Sequence, residues 1–577
     1  MCGIFGHIIS DGDKSNSRRA LHTLSHRGPD QWADWQDSNI YLGHQRLSII
    51  DLSEKGRQPM KDGDVVITVN GEIYNFKLLR QELSKKYRFN SDSDSEVLIH
   101  GYKEWGIKKL LSKIEGMYAF ALYDKRKSKL YLARDRVGIK PLYFSRFDGR
   151  AIAWASELKA LEMFHSREKL DIDYTAVYDY LTYLYVPAPK TLYKNIYKLE
   201  PAHFLEVDIA SGDIKNNRYW QLDPYAKLSI SLDGAAQKVR DLVGSAVKEQ
   251  VVSDVPVGYF LSGGLDSSTV VATAASLGKK LQTYSIGFDV PEHDETRFAE
   301  KVAKKFKTTH IRKIISVNDV KSSFSKIRYW FDEPFADTSA FPVHLVSSLA
   351  RKNSTVVLTG DGGDEVFGGY NWYNQFKKGA KKYVRSNSRI SSLIKPILGK
   401  SAKDRMIGLE LEYYTTLMGG LTKSDKQDYK NKFKIPDSYD DYWHFRKHYL
   451  ADLPLLTRLQ YMDFHTYLPG DILTKVDRTS MAVSLECRVP LLSTPLIEYV
   501  FSLPENIRYY NNELKGLMKY SFRDVLPAEI LERDKKGFSI PTGKWKSKLM
   551  NRKAKMPEYI LDELFPEFQT INKNGAK

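Results

Sequence analysis

The chain has 577 residues, a length that predicts two or three domains. Its composition, with 42% hydrophobic and 28% charged residues, excludes a disordered protein. Its net charge of +17 makes nucleic acid a partner to consider, but no nucleic-acid-binding motif occurs, and no apolar run predicts a membrane span. With only Cys2 and Cys487 and no signal-peptide pattern, the composition excludes a disulfide framework and favours the cytoplasm.

Residues 1 to about 190 are predicted to form short strands with two helices between them. The clearest strand patterns are Ile40–Leu42, Val65–Val69, Tyr118–Tyr123 and Lys129–Ala133. Helical patterns cover Phe76–Lys86 and Ser95–Trp105. This mixture predicts helices packed on antiparallel sheets. We expect a first domain over residues 2–210, with the interdomain boundary near 210–230.

From about residue 233 the pattern changes to strands that alternate with helices. The predicted order is helix Ala235–Val251, strand Val255–Leu261, a helix from about Ser268, strand Gln282–Phe288, a helix near 295–306 and strand Thr355–Leu358. Alternation of this kind is typical of a parallel, doubly wound α/β sheet. Beyond about residue 405 the pattern is mostly helical. We expect a second domain over 230–550 and make no structural prediction for the tail, 551–577.

Cys2 opens a series of motifs in the first domain. If Met1 is removed, the α-amino group of Cys2, with a pKa of about 8, can act as general base for its own thiol. A cysteine at position 2 is incidental when it stands alone. Here further motifs follow in order: Arg27–Asp30, Gly43–Asp51, Asn70–Asn75, Ser93–Glu96, Glu115–Phe120 and Ala133–Gly138. This series resembles class II glutamine amidotransferase domains over residues 1–190, and the resemblance implies an Ntn-type αββα sandwich.

The resemblance also implies roles for individual residues. Arg46 would pair with the α-carboxylate of glutamine and Asp94 with its α-ammonium group. Asn70, through its side chain, and Gly71, through its backbone N–H, would stabilise the oxyanion formed when Cys2 attacks the amide. Taken singly, a turn at Asn70–Gly71 and surface ion pairs would be the ordinary interpretations. The implied glutamine-binding set is Arg46, Leu47, Ser48, Ile49, Ile50, Asn70, Gly71, Glu72 and Asp94.

Ser262–Ser268 is a glycine- and serine-rich segment between an apolar strand and a helix. Small residues let the backbone approach phosphate oxygens at a helix start. The Gly-Lys-Ser/Thr ending of the lysine-bearing P-loop is missing. The segment resembles the loop of ATP pyrophosphatases, which cleave between the α- and β-phosphates. The resemblance implies Mg²⁺ at Asp266 and Asp364, and an ATP-binding set of Leu261, Ser262, Gly263, Gly264, Asp266, Ser267, Ile286, Thr359 and Gly360.

Three later segments complete the second resemblance. Leu358–Tyr370 combines glycines with acidic residues, and its spacing does not match an EF-hand calcium loop. Leu473–Met481 and Leu485–Pro490 resemble the helical part of asparagine synthetases. Arg533–Phe538 resembles the lysine segment of that family, which implies that Lys535 stabilises charge at an adenylate; without the resemblance it would be interpreted as an exposed basic turn. Cys487 is expected to be a packed core thiol.

Over nearly its full length the chain is therefore similar to the glutamine-hydrolysing asparagine synthetase family. This resemblance implies that Cys2 releases ammonia from glutamine, that ammonia crosses to the second domain inside the protein, and that ATP with Mg²⁺ adenylates a carboxylate which ammonia then converts to an amide. Glutamine, ATP and a carboxylate acceptor are the expected partners. A homodimer is a further expectation.

The acceptor is predicted less directly than the reaction. Aspartate is the default of the family, but three departures favour considering a sugar uronic acid as the alternative. Asp361, the expected acceptor-site residue, stands where asparagine synthetases usually carry Glu. Asp337–Pro342 offers no arginine where they carry a Thr-Thr-Ile-Arg type of segment, although a buried second carboxylate needs a cation. Leu492–Ser493 replaces their common Leu-Asp pair.

Two other classes of protein would account for part of the sequence. A glucosamine-phosphate synthase would share the first domain type, but it would lack the Ser262–Ser268 loop and carry sugar-isomerase repeats, which do not occur. A scaffold protein would explain the nine Lys and Arg residues of Lys377–Lys403 but not the other motifs. We interpret this basic stretch as a solvated face, with a phosphorylated or membrane-associated partner as the alternative.

Overall fold

The computed structural model describes residues 2–9, 14–147, 150–391, 402–533, 537, 539–549 and 555–568. Two six-stranded sheets and one five-stranded sheet organise these residues. The first two sheets are antiparallel and the third is parallel. Within the described ranges, no helix is long and apolar enough to span a membrane. The predicted fold class, an antiparallel sandwich followed by a parallel doubly wound sheet, is confirmed.

The first domain contains twelve strands among the described residues. They are β1 (Gly3–Ile8), β2 (Gln31–Gln36), β3 (Ile40–Arg46), β4 (Met60–Asp62), β5 (Val65–Ile73), β6 (Gly116–Asp124), β7 (Lys129–Arg134), β8 (Tyr143–Phe147), β9 (Arg150–Ala155), β10 (Ile196–Lys198), β11 (His203–Asp208) and β12 (Ile214–Arg218). One sheet has the order β10-β8-β9-β1-β3-β2 and the other β12-β11-β7-β6-β5-β4. Since β12 pairs with β11, strand pairing carries the first domain to Arg218.

Helices cover the outer faces of both sheets, because central strands such as β3 and β5 are buried along their whole length and present side chains to both faces. The helices are α1 (Lys14–His22), α2 (Phe76–Leu83), α3 (Glu96–Lys113), α4 (Leu158–His165) and α5 (Tyr174–Tyr183). Ile4 of β1 and Leu132 of β7 belong to the apolar layer between the sheets. Ile67 of β5 packs with Leu79 of α2 on the outer face of the second sheet. The domain is thus a four-layered αββα sandwich.

The second domain begins with alternating helices and strands. In chain order these are α6 (Leu232–Gln250), β13 (Val257–Phe260), α7 (Leu265–Ala275), β14 (Gln282–Phe288), α8 (Thr296–Lys305), β15 (Thr309–Ile315), α9 (Val317–Phe324), α10 (Ile327–Phe331), α11 (Ala340–Ala350), β16 (Val356–Leu358) and α12 (Gly363–Phe367). The sheet order is β15-β14-β13-β16 and then a fifth strand, β17 (Glu486–Arg488). Strand order reverses around β13, and ligands of such sheets bind at the carboxyl ends of the strands at this point.

The remainder is helical, as predicted. Its helices are α13 (Asn371–Ser391), α14 (Ala402–Met418), α15 (Gln427–Lys432), α16 (Trp443–Arg446), α17 (Leu455–His465), α18 (Leu473–Met481), α19 (Thr494–Phe501), α20 (Glu505–Arg508), α21 (Gly516–Ser521), α22 (Ala528–Glu532), α23 (Thr542–Leu549) and α24 (Met556–Leu564). A π-helical turn, Leu468–Ile472, precedes α18. Short 3₁₀ turns cover Glu54–Gly56, Arg167–Lys169, Pro490–Leu492, Tyr510–Asn512 and Pro566–Phe568.

Several elements differ from the sequence prediction. Strand β17 was not predicted, because it has only three residues and two of them, Glu486 and Arg488, are charged yet buried. Helix α3 continues past the predicted end to Lys113, across a kink at Gly106. In the basic stretch, α13 exposes Lys377, Lys378, Lys381 and Lys382, and residues 392–401 lie outside the described ranges.

Candidate active sites

Cys2 directly precedes β1 and lies next to Asn70 of β5. Its side chain is buried, with 7% exposed. The backbone nitrogen of Cys2 donates to Asn70 Oδ1 at 3.1 Å, and Cys2 Sγ lies 4.0 Å from the backbone oxygen of Leu47. Burial raises the pKa of the Cys2 thiol. The thiol therefore needs a base nearby, and the nitrogen held by Asn70 becomes an α-amino group if Met1 is removed.

Asn70 of β5 places its side chain next to Cys2, and Gly71 follows it in the strand. The Asn70 side chain is fully buried, and its Nδ2 has no hydrogen-bond partner among the described residues. Gly71 has φ of 150°, and a side-chain carbon there would overlap the backbone oxygen of Met117. A residue other than glycine would push β5 away from β6 at this point. The unpartnered amide of Asn70 has the chemistry of an oxyanion donor.

The segment Arg46–Ile50 runs from the end of β3 toward the second domain. Arg46 donates to Gln31 Oε1 and to the backbone oxygen of Ser53, both at 3.0 Å, and to the backbone oxygen of Asp51. All three acceptors are uncharged, so the positive charge of the buried guanidinium is not neutralised by them. Ser48 N donates to Asp30 Oδ2 at 2.7 Å. The arrangement suits a bound carboxylate next to Arg46.

Asp94 and Glu72 are two buried carboxyl groups beside this segment. Asp94 Oδ2 accepts from the backbone nitrogen of Ile73 at 2.7 Å. Burial raises the pKa of Asp94 to about 6. Burial, together with Asp94 and Glu486, also raises the pKa of Glu72. Above pH 6, Asp94 can supply the negative charge that an ammonium group requires.

Arg488 of β17 brings a residue of the second domain to the first site. Its Nη2 lies 3.8 Å from Glu72 Oε2, and its Nε donates to Glu486 Oε1 at 2.6 Å. The backbone oxygen of Arg488 accepts from Thr359 N at 2.9 Å. Arg488 therefore contacts a predicted glutamine-binding residue through its side chain and a predicted ATP-binding residue through its backbone. In the sequence, Arg488 could have been found as one of two charged residues that flank Cys487 in an apolar segment. Cys487 itself is buried, as expected.

Arg27 forms a second connection between the domains. It is fully buried, donates from Nε to the backbone oxygen of Cys2 at 3.1 Å, and donates from Nη1 to Asp477 Oδ2 of α18 at 2.8 Å. Glu157 Oε1 accepts a further hydrogen bond at 2.8 Å. The guanidinium charge is thus shared between carboxylates of both domains. These contacts fix the backbone of Cys2 relative to α18 of the second domain.

A cavity of about 1120 Å³ lies at the carboxyl ends of β13, β14 and β16. The predicted ATP-binding residues that line it are Leu261, Ser262, Gly264, Asp266, Ser267, Ile286, Thr359 and Gly360. Gly263 is not part of the lining; its backbone oxygen accepts from Arg533 Nη1 at 2.9 Å. Ser262 Oγ and Ser267 Oγ are 3.0 Å apart, which closes the loop over the first turn of α7. Backbone N–H groups at this helix start are suited to phosphate oxygens.

Asp266 and Asp364 meet in this cavity around a lysine that the sequence did not single out. Lys515 Nζ lies 2.5 Å from Asp266 Oδ2 and 2.6 Å from Asp364 Oδ1. Two carboxylates completed by phosphate oxygens and water are a usual Mg²⁺ environment, so the residues fit the expected ion. In the described part of the chain, no group of three or more His, Cys, Asp or Glu residues could hold a metal by itself.

The predicted acceptor residue, Asp361, lines the same cavity, and burial raises its pKa. Lys475 Nζ lies 2.6 Å from Asp337 Oδ2 and 3.7 Å from Asp471 Oδ1, so its charge is already matched. Aromatic rings form one wall: Tyr370 and Trp372 stack with centroids 3.9 Å apart, and Tyr467 meets them edge to face. Lys535 lies outside the described residues.

Comparisons with known proteins follow the same division of the chain. The family model described as Asparagine synthase matches residues 238–568, and the one described as Glutamine amidotransferase domain matches residues 1–220. The chain is 34% identical over 582 residues to glutamine-hydrolyzing asparagine synthetase 1 of Bacillus subtilis, covering 96% of this chain and 89% of that protein.

Two other curated relatives differ in name. The chain is 39% identical over 398 residues to putative glutamine-hydrolyzing asparagine synthetase 2 of Methanocaldococcus jannaschii, covering 64% of this chain and 76% of that protein. It is also 27% identical over 628 residues to the amidase chry2 of Gibberella zeae, covering 96% of this chain and 91% of that protein.

Proposed function

The chain belongs to the glutamine-hydrolysing asparagine synthetase family of amide-forming ligases, and on that premise we propose that it converts the carboxylate of aspartate to the amide of asparagine. Glutamine supplies the nitrogen and ATP is cleaved to AMP and pyrophosphate. The observation that carries the two-site reaction, whichever acceptor is used, is Arg488, whose side chain reaches Glu72 in the first site and whose backbone holds Thr359 in the second.

The first half of the proposed reaction takes place at Cys2. Sγ attacks the side-chain amide carbon of glutamine, and the C–N bond breaks to release ammonia. The resulting thioester is hydrolysed by water to glutamate, which returns the thiol. Asn70 Nδ2 and the backbone N–H of Gly71 stabilise the oxyanion, and the α-amino group of Cys2 carries the proton from sulfur to the departing nitrogen. Arg46 and Asp94 hold the α-carboxylate and α-ammonium groups of glutamine.

The second half takes place in the cavity of the parallel sheet. An acceptor carboxylate oxygen attacks the α-phosphorus of ATP, and the bond to the β-phosphate breaks to release pyrophosphate. Ammonia that has crossed inside the protein attacks the acyl carbon of the adenylate, and AMP leaves. The Ser262–Ser267 loop holds the phosphates through its backbone, and Lys535 stabilises charge at the adenylate. Mg²⁺ held by Asp266 and Asp364 would neutralise the charge of pyrophosphate as it departs.

A sugar uronic acid is the second candidate acceptor, and the aromatic wall favours it. The apolar surface that Tyr370, Trp372 and Tyr467 contribute to the cavity lining suits the C–H face of a sugar ring better than the charged groups of aspartate. Lys475 is already matched by Asp337 and Asp471, so it offers no spare charge for a second carboxylate. The amidase name of the Gibberella zeae relative is compatible with an acceptor other than aspartate. In either case we expect a reducing compartment such as the cytoplasm, and we retain the homodimer as an expectation.

The proposal is tested by measuring glutamate, AMP and pyrophosphate in one reaction with the full-length enzyme. With glutamine, ATP, Mg²⁺ and the correct acceptor, we expect the three products in equal amounts. Cys2→Ala should form no glutamate, yet still release AMP and pyrophosphate when ammonium replaces glutamine. Cys487→Ala is the matched control and should retain glutaminase activity. Glutamate formation by Cys2→Ala, or ADP instead of AMP, would contradict the proposal.

The acceptor is identified by the same AMP assay. Aspartate, free uronic acids and nucleotide-linked uronates are compared, each with glutamine and Mg²⁺. We expect AMP release with aspartate under the first proposal. Release with a uronate and none with aspartate would instead select the second candidate.

A further inference from the structure

Lys515 occupies the position in the nucleotide cavity where the two loops of the parallel sheet converge. Asp266 follows β13, whereas Asp364 lies in the first turn of α12, after β16. One ammonium group contacts both carboxylates, at 2.5 and 2.6 Å. The side chain is buried, with 6% of Lys515 exposed. A single cation therefore joins the two groups that are proposed to hold Mg²⁺.

The surrounding backbone is built to place this lysine. Lys515 has φ of 56°, and Asn511 and Asn512, which precede it in the cavity wall, have φ of 56° and 57°. Left-handed conformations are unfavourable for residues other than glycine, and such residues concentrate at functional sites. At Gly369 a side-chain carbon would overlap Lys515 Cε and Asp364 Oδ1. The left-handed backbone at Lys515 and the absence of a side chain at Gly369 together allow the ammonium group to lie between the two carboxylates.

The charges of the site make this cation a competitor of a metal ion. Two carboxylates that share one ammonium group are close to each other, and without a cation they would repel. A metal ion coordinated by the same two oxygens, Asp266 Oδ2 and Asp364 Oδ1, would displace the ammonium group, because two cations cannot occupy one position. Displacement is costly for a buried lysine unless another anion replaces the carboxylates. The phosphates of ATP are the anion that enters this cavity under the proposed function.

We propose that Lys515 is a positioning residue that makes the binding of Mg²⁺ and ATP mutually dependent. In the nucleotide-free enzyme it neutralises Asp266 and Asp364. When ATP enters, its ammonium group transfers to the phosphates and the carboxylates become available to the metal. This inference rests on the proposed function, since it requires that ATP and a divalent cation share the cavity. An ordinary structural ion pair would not couple the binding of Mg²⁺ to the binding of ATP in this way.

The test measures Mn²⁺ binding to the full-length enzyme by electron paramagnetic resonance, with and without α,β-methylene-ATP, which resists cleavage between the α- and β-phosphates. Mn²⁺ is used because it prefers the same oxygen ligands as Mg²⁺. In the wild type, we expect the nucleotide analogue to tighten Mn²⁺ binding by about 5- to 150-fold, the usual range of coupling between sites. In Lys515→Gln, Mn²⁺ alone should bind more tightly than to the wild type, and most of this coupling should be lost.

Two variants serve as controls. Lys515→Arg keeps the charge and should keep most of the coupling even if it shifts both affinities. Lys301→Met removes a lysine outside the cavity lining that pairs with Glu529 instead and should behave like the wild type. If Lys515→Gln does not fold, a wild-type level of Mn²⁺ coupling in Lys515→Met overturns the inference, and lost coupling supports it. If neither neutral variant folds, the inference is overturned, because Lys515 is then an ion pair that the fold itself requires.

Failure of the inference can be told apart from failure of the proposed function. If the wild type binds neither Mn²⁺ nor the nucleotide analogue, the ATP site itself is refuted, and the inference with it. If the wild type shows coupling and Lys515→Gln retains it fully, Lys515 is only a structural ion pair, while the ATP site stands.

Discussion

Replacing Arg488 with methionine should destabilise the enzyme through the carboxylate that it leaves behind. Despite its burial, Glu486 has a pKa lowered to about 2, because nearby cations, Arg488 among them, stabilise its charge. Relative to the usual 4.5, a shift of this size corresponds to about 3 kcal/mol of stability above pH 5, of which Arg488 supplies a part together with the other cations. Removing one partner of a buried ion pair costs about 3–5 kcal/mol. We therefore expect Arg488→Met to lose about 3–5 kcal/mol of unfolding free energy at pH 7.

The sign of the pH dependence follows from the same shift. A carboxyl group whose pKa is lowered by folding contributes stability above its unfolded pKa and loses that contribution as the pH falls toward its folded pKa. The difference between wild type and Arg488→Met should therefore be largest above pH 5 and shrink between pH 5 and pH 2. Urea-induced unfolding, followed by circular dichroism at several pH values, measures this difference.

Two variants sharpen the result for Arg488. Arg488→Met combined with Glu486→Gln should recover part of the loss, because the orphaned charge is gone. Arg446→Met is the matched control: its pair with Asp440 is 30% and 26% exposed, so about 0–1 kcal/mol is expected. Equal losses for Arg488→Met and Arg446→Met, or a deficit that stays constant down to pH 3, would refute the reasoning.

Four further outcomes are expected. Asn70→Leu should lower the glutaminase kcat by roughly 10²–10³-fold with little change in KM, measured by glutamate release. Burial raises the pKa of Asp94 to about 6, so roughly nine-tenths of this carboxyl group is protonated at pH 5, and KM for glutamine should rise about tenfold between pH 8 and pH 5. Asp94→Asn should give a high KM that does not depend on pH. A wild-type KM that does not change with pH would contradict the role of Asp94. Gly71→Ala should abolish glutaminase activity through its overlap with Met117; full activity would show that β5 can shift. Asp266→Asn should abolish AMP release while glutamate formation without ATP persists, and equal loss of both would point to misfolding.

Much of the fold could be predicted from local patterns. Val65–Val69 and Lys129–Ala133 mark their strands through β-branched and apolar residues, and Ser262–Ser268 marks the loop after β13 through its composition. The strand Glu486–Arg488 carries no such pattern. It is a strand because β16 lies beside it, and its charged side chains, besides pairing with each other, meet Glu72 far away in the chain. Contacts of that kind leave no periodic signal in a sequence.

The candidate sites divide in the same way. Cys2, Arg46, Asn70 and Asp94 stand in motifs whose order identifies the first site. Lys515 could not be found, since its carboxylate partner Asp266 is 249 positions away and a lone lysine between Leu514 and Gly516 resembles any surface residue. The identity of the acceptor also could not be predicted from the sequence. Asp361 is visible in its motif, but the wall of Tyr370, Trp372 and Tyr467 forms only when the helices are packed.

The buried guanidinium of Arg27 has a consequence for how such proteins can evolve. Because it holds the backbone oxygen of Cys2 and a carboxylate of Asp477 at once, neither half of the molecule can be exchanged by recombination for a distant counterpart unless the opposite charge arrives with it. A chimaera that lacked a carboxylate at position 477 would leave Glu157 as the remaining carboxylate partner of this buried cation beside its nucleophile. The two halves are therefore expected to be inherited together, as one unit of selection.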